Sequence, residues 1–94
     1  MGGSRLVGPA AEGVVETEID GCVALYEPAN QTALTLNRTA SDVWRLADGT
    51  LALDQLTDLL ARAYGVEPDA IRDDVARTVD RLTSLGFLEP APDP

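Results

Sequence analysis

The chain contains no histidine and no lysine. Without an imidazole there is no general base of the commonest kind, no Ser-His pair and no histidine-ligated metal. Without lysine, Schiff-base chemistry and a phosphate-loop lysine are excluded. The single cysteine, Cys22, has no partner for an internal disulfide, which fits a reducing compartment. No run approaches the roughly 18 apolar residues of a membrane span, and MGGSRLVG at residues 1 to 8 holds no apolar segment long enough for a secretory signal. Aromatic residues make up only 4% of the chain, so its core must be built mostly from Leu, Val and Ala. The expectation is a cytoplasmic chain with no catalytic residue, no cofactor and no metal.

What is present is small and acidic. Ninety-four residues make one domain, near the lower end of what folds without staples. Sixteen acids face seven bases, all of them arginine, for a formal net charge of −9. That balance argues against a nucleic-acid partner, because phosphate binding needs a concentrated positive surface.

Residues 1 to 12 are rich in Gly, Ala and Pro and read as a flexible tail. Residues 90 to 94 (PAPDP) form a Pro-rich tail that cannot continue a helix. The folded part is expected over 13 to 89. Residues 14 to 19 (VVETEI) alternate, with Val15, Thr17 and Ile19 on one face and Glu16 and Glu18 on the other. Asp20-Gly21 then signals a two-residue hairpin turn. Residues 22 to 27 (CVALYE) form a second strand, and 32 to 36 (TALTL) a third with Leu34 and Leu36 inward.

At Asn37 the period changes from two to 3.6. Asn37 or Thr39 can cap a helix whose face is Ala40, Val43, Trp44 and Ala47, with Gly49 as its left-handed stop. A second helix is expected over about 53 to 64, with Leu53, Leu56, Leu59, Leu60 and Ala63 on one side. A third runs from Pro68, suited to a first helical position, to about Leu85. Its stripe is Ile71, Val75, Val79, Leu82 and Leu85. The predicted fold is α+β, winged helix-turn-helix-like: a three-stranded antiparallel meander followed by three helices. Within it Trp44 reads as a core anchor rather than a ligand platform.

The ordered set Leu36-Asn37-x-Thr39-Ala40, Val43-Trp44, Asp48-Gly49, Tyr64-Gly65-Val66, Asp74-Val75 and Leu82-x-x-x-Gly86-Phe87-Leu88 resembles the PqqD family over about residues 13 to 89. These are RiPP recognition elements, domains that bind the leaders of ribosomally made, modified peptides. The sequence departs from the family at Ala52-Leu53-Asp54-Gln55, where a Thr or Ser usually caps the second helix.

The resemblance implies a peptide chaperone without enzymatic activity. A leader peptide would add to the edge of the third strand and lie against the third helix, with its core delivered to a radical SAM protein, a lasso-peptide protease or cyclase, or another modifying enzyme. Carried over residue by residue, it implicates Thr32, Ala33, Leu34, Thr35 and Leu36 on the strand. On the helix it implicates Asp74, Val75, Thr78, Val79, Arg81 and Leu82, with Arg81 as a partner for a leader carboxylate. Helical angles alone leave open which rim of the helix, Asp74–Thr78–Arg81 or Arg72–Val79, borders the sheet. An open sheet edge is also compatible with a homodimer.

A winged-helix DNA-binding or regulatory protein is the alternative from another class. Asp69, Asp73, Asp74 and Asp80 on its would-be recognition helix count against it. An acyl-carrier reading fails because those proteins are all-helical and carry an Asp-Ser-Leu attachment motif that is missing here.

Overall fold

The computed structural model describes residues 6–89. The chain forms three strands, β1 (Val15–Ile19), β2 (Cys22–Glu27) and β3 (Thr32–Thr35), then three helices, α1 (Arg38–Leu46), α2 (Leu53–Tyr64) and α3 (Pro68–Ser84). The strands make one antiparallel sheet in the order β1-β2-β3, so β1 and β3 are its edges. Asp20 and Gly21 both take positive φ, 53° and 82°, as the tight β1–β2 turn requires. In the β2–β3 turn, the Glu27 carboxylate accepts from Ala29 N at 3.0 Å and Asn30 N at 2.9 Å. Those bonds explain how a nearly buried glutamate is tolerated.

The helices cover one face of the sheet. Val23, Leu25 and Leu36 from the sheet side meet Val43, Trp44, Leu56, Leu60, Val75, Val79, Leu82, Phe87 and Leu88 in a single core. β1 sends its acidic face toward α1. Trp44 Nε1 donates to Glu16 Oε1 at 2.9 Å, and Arg45 reaches Glu18 at 3.2 Å. Val15 and Ile19 therefore face outward, 49% and 55% exposed.

Three expectations are corrected. Residues 6 to 11, expected within a flexible tail, are packed on the body. Val7 is 2% exposed, its N–H donates to Leu51 O at 2.9 Å, and its carbonyl accepts from Gly49 N at 2.8 Å. The segment continues through Ala11 N to Phe87 O at 2.8 Å, while Glu89 N donates to Pro9 O at 2.9 Å. Gly8 fits only as glycine: its φ is +89°, and a Cβ there would overlap the Ala47 carbonyl. Residues 1 to 5 and the expected tail at 90 to 94 lie outside the described residues.

Second, α1 ends at Leu46, with Ala47 N turning back to Trp44 O at 3.1 Å. Gly49 is thus not the stop but the donor that holds Val7. Third, α2 buries Leu56, Thr57, Leu60 and Ala61, whereas Leu59 and Ala63 are exposed. Thr57 is tolerated inside because its hydroxyl donates to Leu53 O at 2.8 Å. In α3, Leu85 is likewise exposed, while Val75, Val79 and Leu82 are buried.

The start of α2 is half-capped. Gln55 Oε1 accepts from Ala52 N at 2.8 Å, but alanine has no side-chain oxygen to return the bond. Ala52→Ser completes the reciprocal pair. It should raise stability by about 0.5–1 kcal/mol, seen as a rise in thermal midpoint. An unchanged midpoint would show that water already serves those N–H groups equally well.

Candidate functional site

The free edge of β3 follows from its pairing with β2. Leu34 lies opposite Leu25 and Thr32 opposite Glu27, and just beyond the strand Leu36 N donates to Val23 O at 2.8 Å. Hydrogen-bonding direction alternates along a strand. The even-numbered residues therefore bond to β2, and Ala33 and Thr35 aim their N–H and C=O groups outward. Among the described residues no other strand pairs with β3. Side chains alternate as well: Leu34 and Leu36 face the helices, while Ala33 and Thr35 are exposed on the outer face.

Opposite this edge stands α3, and no Cα of β3 comes within 8 Å of one in α3. An added strand would sit about 4.8 Å from β3, on the side where the chain leaves open space. Two adjoining cavities occupy it. One of about 200 Å³ is lined by Leu34, Thr35, Leu36, Asn37, Ala40, Thr78, Arg81 and Leu82. The other, of about 510 Å³, is lined by Asn37, Thr39, Asp74, Arg77, Thr78 and Arg81. Asn37, Thr78 and Arg81 belong to both, which makes one continuous cleft with an apolar floor and a polar mouth.

The Asp74–Thr78–Arg81 rim of α3 therefore faces the sheet edge. Leu34, Leu36 and Leu82 supply the floor, and Thr35 lies at the margin. Val75 and Val79 sit in the core behind the cleft, and Thr32 and Ala33 lie on the strand beyond the cavities' linings. Asn37, Thr39, Ala40 and Arg77 also line the cleft, although the sequence singles out the first three only as caps or core and does not single out Arg77.

Width is set by the β3–α1 joint. Asn37 Oδ1 caps α1 by accepting from Ala40 N at 2.8 Å. Ser41, fully buried, accepts from Val23 N at 2.8 Å and donates to Leu36 O at 3.4 Å. One hydroxyl thus ties α1 to both β2 and the end of β3. Helical periodicity gives no hint of this role, since a serine beside Val43 and Trp44 resembles any small residue. Ser41→Ala leaves a buried N–H and a buried carbonyl without this partner. The expected cost is about 1–3 kcal/mol, measured by denaturant unfolding; a loss under about 0.3 kcal/mol would show the joint is held otherwise.

Charges around the cleft are uneven. Arg77 pairs with Asp74 at 3.0 Å. Elsewhere Arg72 pairs with Asp69 and Asp54, and Arg45 with Glu18 and Asp42. Arg81 has no salt bridge among the described residues. Among the described residues, Asp48, Tyr64 and Arg72 titrate away from their ordinary values, and none of them lines the cleft. Hydrogen bonds from the Thr50 hydroxyl and backbone lower Asp48, hydrogen bonding to Asp69 raises Arg72, and desolvation followed by the Asp42 hydrogen bond raises Tyr64. A raised tyrosine favours the neutral phenol in the folded state. Its contribution is present below pH 10 and lost as pH climbs through the folded value.

Among the described residues no cluster of His, Cys, Asp or Glu is arranged to hold a metal ion. No helix there is long and apolar enough to cross a membrane.

Three antiparallel strands followed by three helices, with β3 at an edge of the sheet, define the class: a small winged-helix-like α+β domain. Two solved structures share this fold. One is TbiB1 in complex with the TbiA(beta) leader peptide, with a TM-score of 0.77 and 23% identity over 89% of this chain and 98% of that one. The other is lasso peptide synthetase B1 complexed with the leader peptide, with a TM-score of 0.76 and 20% identity over 87% and 96%. At these identities the likeness establishes the fold. No curated protein matches the chain in sequence. The sequence profile of coenzyme PQQ synthesis protein D (PqqD) matches residues 22–88. The chain belongs to the PqqD family.

Proposed function

We propose that the chain is a stand-alone recognition module that binds the leader of a ribosomally made precursor peptide by strand addition to β3. It then presents the remainder of the precursor to a separate modifying enzyme. The observation that carries this reading is the vacant edge of β3, with two outward-facing residues opposite the wall of α3. Strand addition draws affinity from main-chain hydrogen bonds and specificity from pockets for alternate side chains. The outward-facing backbone groups of Ala33 and Thr35 and the cavity beside Leu34 support that mode of binding. The leader-bound state of the two structural neighbours supports the same use, and the second is named a lasso peptide synthetase. A lasso-peptide protease or cyclase is therefore the partner enzyme we favour over a radical SAM protein.

In this reading Ala33 and Thr35 supply the backbone bonds, and Leu34, Leu36 and Leu82 receive an apolar side chain. Asp74, Thr78 and Arg81 form the opposite wall. Val75 and Val79 hold that wall in place, and Thr32 marks the far end of the pairing. The module works in the cytoplasm and needs no cofactor. DNA binding is disfavoured because Asp69, Asp73, Asp74 and Asp80 are exposed along α3.

Titration with a synthetic leader from the neighbouring reading frame, followed by amide NMR, tests the reading. Ala33 and Thr35 should shift most, and their exchange with solvent should slow. Shifts confined to residues outside β3 and α3 would overturn it.

A further inference from the structure

We infer that the cleft selects peptide segments carrying an apolar side chain and a carboxylate two residues apart, the first seated on the Leu34–Leu36–Ala40–Leu82 floor and the second at Arg81. The inference rests on the peptide-binding reading and deepens it by naming the class of peptide.

The spacing comes from strand geometry. A guest beside β3 turns alternate side chains toward the helices, so residues i and i+2 enter the cleft about 7 Å apart along the guest. One of them meets the cavity of about 200 Å³, whose floor is four aliphatic side chains. A volume of about 150 Å³ accommodates a benzene-sized group, so this one has room for a single leucine- to phenylalanine-sized side chain on its aliphatic floor, beside the polar Thr35, Asn37, Thr78 and Arg81.

The charge preference comes from what the cleft leaves uncompensated. Its charged lining is Asp74, Arg77 and Arg81. Asp74 and Arg77 engage each other at 3.0 Å, while Arg81 has no salt bridge among the described residues. The lining carries a net positive charge in a chain whose formal charge is −9. Arg81 also belongs to both cavities, so this residue borders the apolar seat and the polar mouth at once. A guest carboxylate there forms a charge-assisted hydrogen bond with the guanidinium, and the guest strand itself shields the pair from water. A guest lysine or arginine at that position meets repulsion instead.

Selection of random twelve-residue peptides displayed on phage, with the full chain as bait, tests this without knowledge of the natural leader. The expected result is enrichment of Asp or Glu two positions from Leu, Ile, Val or Phe. Because Arg81 is exposed, Arg81→Glu should keep the fold, checked by circular dichroism. That variant should turn the preference toward Lys or Arg and weaken an acid-bearing winner about tenfold or more. Enriched peptides lacking the spaced pair, or an acid preference unchanged in Arg81→Glu, would overturn the rule while leaving peptide binding intact. Failure of the chain to enrich any peptide would overturn the peptide-binding reading, and this rule with it.

Discussion

Replacing Thr35 with proline sharply weakens capture of a leader peptide and leaves the domain folded. Thr35 is on the outermost strand and turns its N–H away from β2, so no bond within the sheet is lost. Proline is accepted on sheet edges for that reason. The guest loses a donor worth about 0.5–1.5 kcal/mol. It also meets the pyrrolidine ring where its own backbone must approach, which weakens the neighbouring bonds. A combined loss of about 2–3 kcal/mol lowers affinity by roughly 30- to 150-fold, measured by calorimetry. Thr35→Val is the control: it keeps the N–H and the side chain's shape at the margin of the cleft, so affinity should hold. A proline variant that binds as tightly as the parent would mean that the peptide does not pair with β3.

The largest effect on stability is expected at Trp44. Its ring is 7% exposed within the core, and its indole N–H donates to Glu16. Trp44→Ala removes the largest side chain of a core otherwise made mostly of aliphatics. The expected cost is about 3–5 kcal/mol, a large part of what a domain of this size possesses. The thermal midpoint should fall by on the order of 20 °C. Trp44→Phe keeps most of the packing and loses the donor, so it should cost far less. If both variants melted alike, the hydrogen bond to Glu16 rather than burial would be the source of the stabilisation.

The order of strands and helices is legible in the sequence because local chemistry and tertiary packing agree there. Asp20-Gly21 admits one turn, the change of period at Asn37 marks a helix start, and Pro68 and Gly86 bracket α3. The open β3 edge is legible too, once the strand count is known. What stays hidden depends on partners distant in sequence. Residues 6 to 11 have no periodicity; Val7 is buried because Leu51 and Gly49 offer backbone bonds. Alternation in β1 defines two faces without saying which turns inward. Trp44 and Arg45 decide it by supplying partners for Glu16 and Glu18.

In α2, leucines lie on several sides of the helix, so periodicity alone misplaces Leu59. Thr57 takes an inward position because Leu53 O satisfies its hydroxyl. The cleft-facing rim of α3 is likewise fixed by packing against α1 and α2, beyond the reach of helical angles. Arg77 and Asn37 join the cleft through that packing, and neither announces itself as a binding residue.

The pairing of Ala10 with Leu88 and the bond from Glu89 N to Pro9 O bring the end of the folded body within three residues of Leu6, where its described part begins. A unit whose two ends meet can be spliced into a surface loop of a larger host, or rejoined there and opened elsewhere, with little disturbance to its interior. Portability of that kind would let the same small scaffold serve either as a separate chain or as an insert within an enzyme.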